Sequence, residues 1–221
     1  MRRLFFLISI LLPVVGAFAL GTAELVTDEQ ALEVLGKKCV RLGTSEMLPI
    51  NFQTARAVLE RPDLAHAAQI EFAESISANG AVDFPVIEDA PRKYHYISDK
   101  GQRTDITELY RKQTDAHTFD YVVLASGKRF FGGFDVVVHL QVIDAEEAGV
   151  VYTVITHAYP RNWLTRFSAS KIGVTKNFFK KKMKMISWVA REIGVNLCEA
   201  EEFRRALLAE SAPTFGESTL P

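Results

Sequence analysis

The chain has 221 residues, of which 48% are hydrophobic, with 26 Lys and Arg against 27 Asp and Glu and two Cys. That apolar content and a net charge of −1 exclude an intrinsically disordered protein. The chain as a whole also lacks the excess of positive charge that is typical of a nucleic-acid-binding protein. Two cysteines are too few for a disulfide scaffold or a four-cysteine zinc module. The length suits one domain with a sizeable core.

The N-terminus has the order of a secretory signal peptide. A pair of arginines is followed by an almost entirely apolar run and then by small residues. We expect a signal peptide over 1–19, cleaved after Ala19 or after Ala23, and export to the periplasm. An uncleaved inner-membrane anchor is the alternative, although the run is short for a span of about 20 residues.

The two cysteines, Cys39 and Cys198, lie near opposite ends of the predicted mature chain. In an oxidising compartment they could form a disulfide that closes a loop of about 160 residues. The chain-entropy model gives such a disulfide a stabilisation of roughly 4–5 kcal/mol. The alternative is two separate buried thiols that behave as small apolar side chains. Both remain open, because a sequence does not supply the Cα separation that a disulfide requires.

Helical patterns occupy the first part of the mature chain. Residues 27–30 (TDEQ) are typical of a helix start with Thr27 as the cap, and Gly43 is expected to end that helix. A longer helix is predicted over 52–78, with an interruption at Pro62. The Asn-Gly pair that follows it accepts a left-handed backbone and is a good helix stop.

Strand patterns occupy the centre of the chain. A short strand is predicted over 84–87, and the polar segment 90–117 is predicted to be a loop that carries one short helix. Three strong strands follow over 119–126, 134–143 and 150–159, with short Gly-containing turns between them. These turns predict an antiparallel meander.

Alternation in the second strong strand predicts which side of the sheet is buried. Val136, Val138, Leu140 and Val142 fall on one face, which we expect to be the core face. His139 is then expected on the less buried face. Asp120, in the preceding strand, is expected to be exposed.

The C-terminal part predicts a long amphipathic helix over 175–198, a second short helical segment over 201–208 and a disordered tail over 211–221. The fold class predicted is α+β, as a single domain over 24–210. Its antiparallel sheet is expected to have about four strands, with a mixed sheet as the open alternative, and helices on one face. The apolar stripe expected on the sheet is Phe179, Met183, Ile186, Ala190, Ile193 and Leu197.

Residues 64–159 resemble an envelope domain shared by several protein families. The resemblance rests on the helix that ends in Asn79-Gly80, the segment FDYVVLASG at 119–127, and VIDA at 142–145 before Gly149. In these features the chain resembles the N-terminal part of TolB, the CsgG and FlgO proteins, and the outer-membrane activators of penicillin-binding proteins. The resemblance implies binding and assembly in the cell envelope rather than catalysis.

Three phenylalanines, Phe130, Phe131 and Phe134, surround a diglycine between the first two strong strands. Exposed at a hairpin tip, such aromatics are typical of a contact with a partner or a membrane. The alternative is that Phe131 and Phe134 fold back onto the core, as large apolar side chains ordinarily do. The three are the candidate partner-binding residues.

One concentrated run of positive charge lies at the start of the long C-terminal helix. On an amphipathic helix such a run is usually the solvated face. It could also contact an anionic surface, where each lysine adds about 1 kcal/mol. The candidate anionic-surface residues are Lys176, Lys180, Lys181, Lys182 and Lys184.

Signals for catalysis and metal binding are weak. His139 and His157 fall on neighbouring predicted strands, but no close-spaced histidine pair accompanies them, so no metal site is predicted. Ser168 and Lys171 have the one-turn spacing of a serine–lysine centre without its companion motifs. No phosphate loop and no G-x-S-x-G elbow is present, so the sequence predicts no catalytic residue and no cofactor.

The leading hypothesis is an exported, non-enzymatic protein that binds a protein partner in the cell envelope during assembly of a secretion, appendage or peptidoglycan machinery. One alternative is a periplasmic lipid-binding or transport-accessory module that uses the basic helix. The other is a periplasmic hydrolase with a serine–lysine centre. An exposed aromatic tip would favour partner binding, an apolar groove beside the basic helix would favour lipid binding, and a convergent polar pocket would favour an enzyme.

Overall fold

The computed structural model describes residues 21–37, 40–77, 85–98, 100–129, 132–162 and 174–210. No helix in these ranges is long and apolar enough to span a bilayer. The helices are α1 (Thr22–Leu25), α2 (Glu29–Gly36), α3 (Phe52–Glu60), α4 (Leu64–Glu71, extended by a π-helical turn over Phe72–Ile76) and α5 (Val174–Glu210). The strands are β1 (Val40–Leu48), β2 (Ile87–Ala90), β3 (Lys93–Ile97), β4 (Arg103–Asp115), β5 (Thr118–Arg129), β6 (Gly132–Asp144) and β7 (Val150–Pro160).

The strands form one antiparallel sheet in the order β1-β7-β6-β5-β4-β3-β2. Every pairing is antiparallel. Strand β6 lies between β5 and β7, so His139 of β6 is opposite Val122 of β5 on one side and Ile155 of β7 on the other. The expected sheet of about four strands is therefore wrong, since the sheet has seven strands. With the long helix α5 packed on one face, the architecture is a helix-grip arrangement.

Two stretches of the sheet replace elements that were expected to be helix or loop. The helix that begins after its cap Asp28 ends at Gly36, and the chain then forms the edge strand β1, through Gly43. The segment expected to be a loop with one short helix, 90–117, instead contains β3 and β4. Its strand signal is weak because positions on the buried side carry polar residues such as Thr104 and Glu108.

Helices cover both faces of the sheet rather than one. Helices α3, α4 and α5 pack with Phe119, Val142 and Val150 on one face, here called the inner face. Helices α1 and α2 pack with Val122 and Val137 on the other, here called the outer face. Neighbouring residues of a strand point to opposite sides, so each of these strands contributes to two separate apolar clusters.

Helix α5 is one continuous helix of 37 residues, so the predicted break between 198 and 201 is absent. The hydrophobic stripe is only partly as expected. Ile193 and Leu197 face the sheet, whereas Ile186 is 53% exposed. The side chains of Phe179 and Met183 lie outside the described residues.

The β6–β7 connection requires a glycine at position 149. Gly149 has φ +105°, a left-handed conformation that favours glycine, and a Cβ there would collide with the carbonyl oxygen of Leu48. This close approach fixes the end of β1 against the hairpin. It thereby places Leu48 and Ile50 at the base of the space under α5.

Candidate functional site

A cavity of about 310 Å³ lies between the inner face of the sheet and helices α3, α4 and α5. Leu48, Val142 and Val150 form part of its floor, and Val58 of α3 is among the residues that close one side. Helix α5 closes another side with Ile193, Gly194 and Leu197, which recur at helical spacing. The volume lies within the usual range of small-molecule sites, roughly 300–1,000 Å³.

Few polar side chains reach this cavity. The lining residues that carry a polar group include Tyr121, Tyr152, Arg191 and Cys198. Burial, then the nearby carboxylate of Glu46, raises the pKa of Tyr152 to about 12. Burial also raises the pKa of the Cys198 thiol to about 12, with the acidic residues that follow it adding to the effect. Both groups are therefore neutral at physiological pH.

A buried carboxylate near Tyr121 is paired with two arginines. The Glu108 side chain is almost fully buried and pairs with Arg92, whose Nε is 2.9 Å from Oε1, and with Arg111 at 3.2 Å. Arg111 also donates through Nη1 to the carbonyl oxygen of Arg61 at 2.9 Å, so it holds the end of α3 against the sheet. Burial and the Glu108 carboxylate raise the pKa of Tyr121. This cluster supports the wall of the cavity.

The outer face carries a buried polar network that the sequence analysis missed. His139 Nδ1 is 3.0 Å from Thr22 Oγ1, and His139 Nε2 is 2.7 Å from Asp120 Oδ1. The Asp120 carboxylate also accepts hydrogen bonds from Gln141, at 2.9 Å, and from Thr114. Because a carboxylate only accepts, Nε2 of His139 donates to it, and Nδ1 accepts from the Thr22 hydroxyl.

Burial of these groups corrects two expectations. Asp120 is 0% exposed and His139 is 2% exposed, although the sequence indicated an exposed carboxylate and a less buried strand face. The order Thr22–His139–Asp120 matches the hydroxyl–imidazole–carboxylate series of hydrolases. Thr22 is also buried, however, so its hydroxyl is not presented in an open cleft. We interpret the network as structural.

A second polar cluster on the same face centres on Asp135. Its carboxylate accepts hydrogen bonds from Gln30 of α2 at 2.9 Å, Ser126 of β5 at 2.8 Å and Arg161 Nε at 2.7 Å. These contacts join three elements around one buried carboxylate. No group of three or more His, Cys, Asp or Glu side chains suited to a metal ion is found among the described residues.

The predicted partner-binding residues are only partly placed. Phe134 is 8% exposed within β6, so it is not an exposed aromatic tip. Phe130 and Phe131 lie outside the described residues. The pair Ser168 and Lys171 also lies outside them, as do the predicted signal peptide over 1–19 and the tail over 211–221.

The other predicted site residues lie on or near α5. Lys180, Lys181 and Lys184 have exposed side chains, while the side chains of Lys176 and Lys182 are outside the described part of the chain. Cys198 is a buried free thiol, and Cys39 is not among the described residues. The disulfide therefore stays a prediction.

No protein-family model and no curated protein matches the chain. Among solved structures, it is similar to a conserved protein from Geobacillus kaustophilus, with 11% identity, 72% of this chain and 96% of that one covered, and a TM-score of 0.48. A hypothetical protein from Helicobacter pylori has 8% identity, coverages of 83% and 99%, and a TM-score of 0.47. Norcoclaurine synthase from Thalictrum flavum has 9% identity, coverages of 73% and 95%, and a TM-score of 0.47.

At these scores the likenesses carry no argument, and the description of the fold rests on the strand order itself. None of them bears on the resemblance to the envelope domain of TolB, CsgG and FlgO. That resemblance, and the export that the N-terminus predicts, stay hypotheses.

Proposed function

We propose that this protein binds a small apolar molecule, such as a lipid chain, in the cavity between the sheet and α5. The observation that carries the proposal is the cavity of about 310 Å³, whose lining residues are apolar apart from Tyr121, Tyr152, Cys198 and Arg191. Such a space binds by excluding water from apolar surface, at roughly 25 cal/mol per Å². It has no nucleophile beside a base, so we assign no reaction to it.

The loss of stability that an unfilled apolar cavity causes also supports a bound ligand. Side chains around an empty apolar space lose the dispersion contacts that a filled core provides. A cavity of this size without a ligand therefore lowers stability, and an apolar guest restores those contacts. Apolar cavities of smaller volume, about 150 Å³, take up small hydrocarbons.

Among the predicted functions, the cavity supports lipid binding best. An apolar groove beside the basic helix was the feature expected of a lipid-binding or transport-accessory module, and the cavity lies directly under α5. The partner-binding hypothesis depended on an exposed aromatic tip, and one of its three residues, Phe134, is buried. With the predicted signal peptide, the proposed place of action is the cell envelope.

Gly194 offers a direct test of ligand binding. It lines the cavity one turn from Ala190 and from Cys198, and an added Cβ meets no atom within 4 Å. Gly194→Leu therefore fills the cavity without a backbone clash, and it also removes a helix-destabilising glycine that costs about 1 kcal/mol. We expect the wild type to bind the apolar fluorophore N-phenylnaphthylamine, and Gly194→Leu to bind it about tenfold or more weakly.

Thermal stability separates this effect from misfolding. Gly194→Leu is expected to raise the unfolding temperature by about 2–4 °C, because each kcal/mol moves a domain of this size by that amount. Gly36→Ala is the matched control, since Gly36 is an exposed glycine at the end of α2 with open space around its Cα. It should leave fluorophore binding unchanged. Equal binding by wild type and Gly194→Leu, or no binding by the wild type, would refute the proposal.

A further inference from the structure

A second cavity, whose lining includes several polar and charged residues, adjoins the apolar one at the edge of the sheet. It has a volume of about 320 Å³ and lies between the edge strand β1 and the N-terminal half of α5. We call it the vestibule, and its polar lining includes Thr44, Glu46, Lys184, Ser187 and Arg191. Tyr152 and Arg191 line both spaces.

Helix periodicity connects the two cavities along one side of α5. Lys184, Ser187 and Arg191 succeed one another at steps of three and four residues, which places them in one row over the sheet. The same row continues into the apolar cavity through Gly194 and Cys198. A hydrogen bond of 3.2 Å between Ser187 Oγ and Thr44 Oγ1 holds the helix to β1 inside the vestibule. The row therefore changes from cationic to apolar over about four helical turns.

The charges of the vestibule favour an anion. Arg191 pairs through Nε with Glu46 Oε1 at 3.1 Å, and through Nη1 with Glu192. Lys184 has no carboxylate partner within the described part of the chain. Glu192 does not line the vestibule, so the charged lining of the vestibule consists of two cations, Lys184 and Arg191, and one carboxylate, Glu46, whose side chain is 53% exposed.

We propose that the ligand is a single-chain amphiphile with an anionic headgroup, which inserts its chain into the apolar cavity and places its headgroup between Lys184 and Arg191. This inference rests on the proposed function and adds the chemistry of the ligand to it. The guanidinium of Arg191 presents paired donors that match a carboxylate or a phosphate. The hydroxyl groups of Thr44 and Ser187 supply further donors at the same level.

Glu46 acts as a competitor for the headgroup. Its carboxylate occupies the Arg191 Nε that the ligand headgroup needs. An entering anion displaces Glu46 into solvent and takes over Arg191. Glu46 thus holds Arg191 in place until a ligand binds, and the affinity depends on the charge at position 46.

The test compares laurate with lauryl alcohol, which share one chain and differ in headgroup charge, by isothermal titration calorimetry. We expect the wild type to bind laurate about tenfold more tightly than lauryl alcohol. The double variant Lys184→Gln/Arg191→Gln should lose about tenfold in laurate affinity and keep its affinity for the alcohol. Lys180→Gln/Lys181→Gln is the matched control, because it removes the same charge from exposed positions of the same helix outside the vestibule. It should bind both ligands as the wild type does.

Glu46→Gln is expected to raise laurate affinity about threefold and to leave alcohol binding unchanged, and a gain of affinity cannot come from misfolding. If the alcohol and laurate bind equally to all variants, the headgroup assignment is wrong while the apolar cavity remains a ligand site. If neither ligand binds the wild type, the proposed function fails as well.

Discussion

The Asp120 carboxylate is fully buried and is stabilised by the donors that surround it. Burial alone opposes its ionisation, but hydrogen bonds from His139, Thr114 and Gln141 outweigh that effect and hold the pKa of Asp120 below its usual range. The pKa of Asp135 is lowered in the same way. Burial raises this pKa, but hydrogen bonds from Arg161, Ser126 and Gln30 lower it by more. Both carboxylates are therefore ionised in the native protein.

Replacing Asp120 should destabilise the fold strongly. Asp120→Asn removes the charge to which His139 and Thr114 donate inside the sheet, and the loss of hydrogen bonds to a buried charged group costs about 1.5–3 kcal/mol. Urea unfolding measures the change. Asp105→Asn is the control, since Asp105 pairs with Arg103 at the surface and its loss should cost less than about 1 kcal/mol. Similar losses for the two variants would contradict a structural role of the buried network.

Acid should unfold the protein through the same two carboxylates. A carboxyl whose folded pKa lies below its unfolded value of about 3.9 contributes stability above that pH. The contribution is lost as the pH falls through the folded pKa, because protons then bind the unfolded state first. We therefore expect the free energy of unfolding to fall steeply below about pH 4. In Asp120→Asn this slope should be smaller, and an unchanged slope would show that other groups control acid unfolding.

Individual elements differ in how far the sequence could predict them. Strands β5, β6 and β7 were predicted within a few residues, because an apolar period of two is strong in each. The break between α3 and α4 was predicted from Pro62. β1 and β4 were missed, since their inner-face positions include polar residues such as Glu46 and Glu108, which weaken the apolar period of two.

The candidate site was predictable only along α5. The expected apolar stripe included Ala190, Ile193 and Leu197, which all line the cavity, and Lys184, predicted as an anionic-surface residue, lines the vestibule. The opposite walls belong to strands whose pairing is long-range. Local periodicity contains no information that the edge strand β1 pairs with β7, which lies about 110 residues further along the chain.

On the scale of the whole molecule, the sheet separates two interiors with different chemistry. The inner face holds the apolar cavity, and the outer face is closed by the segment from Thr22 to Gly36. Ala31 and Val34 of α2 are almost fully buried on that face, as are Leu25 and Val26 before it. A helical segment that short is marginal alone, so its stability comes from this packing and from the bond between Thr22 and His139.

Because of this packing, the stability of the predicted mature chain depends on the position at which the signal peptide is cleaved. Cleavage after Ala19 keeps Thr22, whereas cleavage after Ala23 removes it and leaves Nδ1 of the buried His139 without its partner. A chain beginning at Glu24 should therefore be about 1–3 kcal/mol less stable to urea than one beginning at Leu20. Thr22→Val in the longer chain keeps the shape and loses the hydroxyl, so it should reproduce most of the loss.

Glu24→Gln is the control for the exposed end of the segment, because the Glu24 carboxylate accepts a hydrogen bond from the Gly21 amide at the surface, and its effect should stay within about 0.5 kcal/mol. If export and cleavage occur as predicted, selection for a stable fold favours the site that retains Thr22. We therefore expect the mass of the mature protein to correspond to cleavage after Ala19. A mature chain beginning at Glu24, with stability equal to the longer form, would show that the outer face closes without the Thr22 hydroxyl.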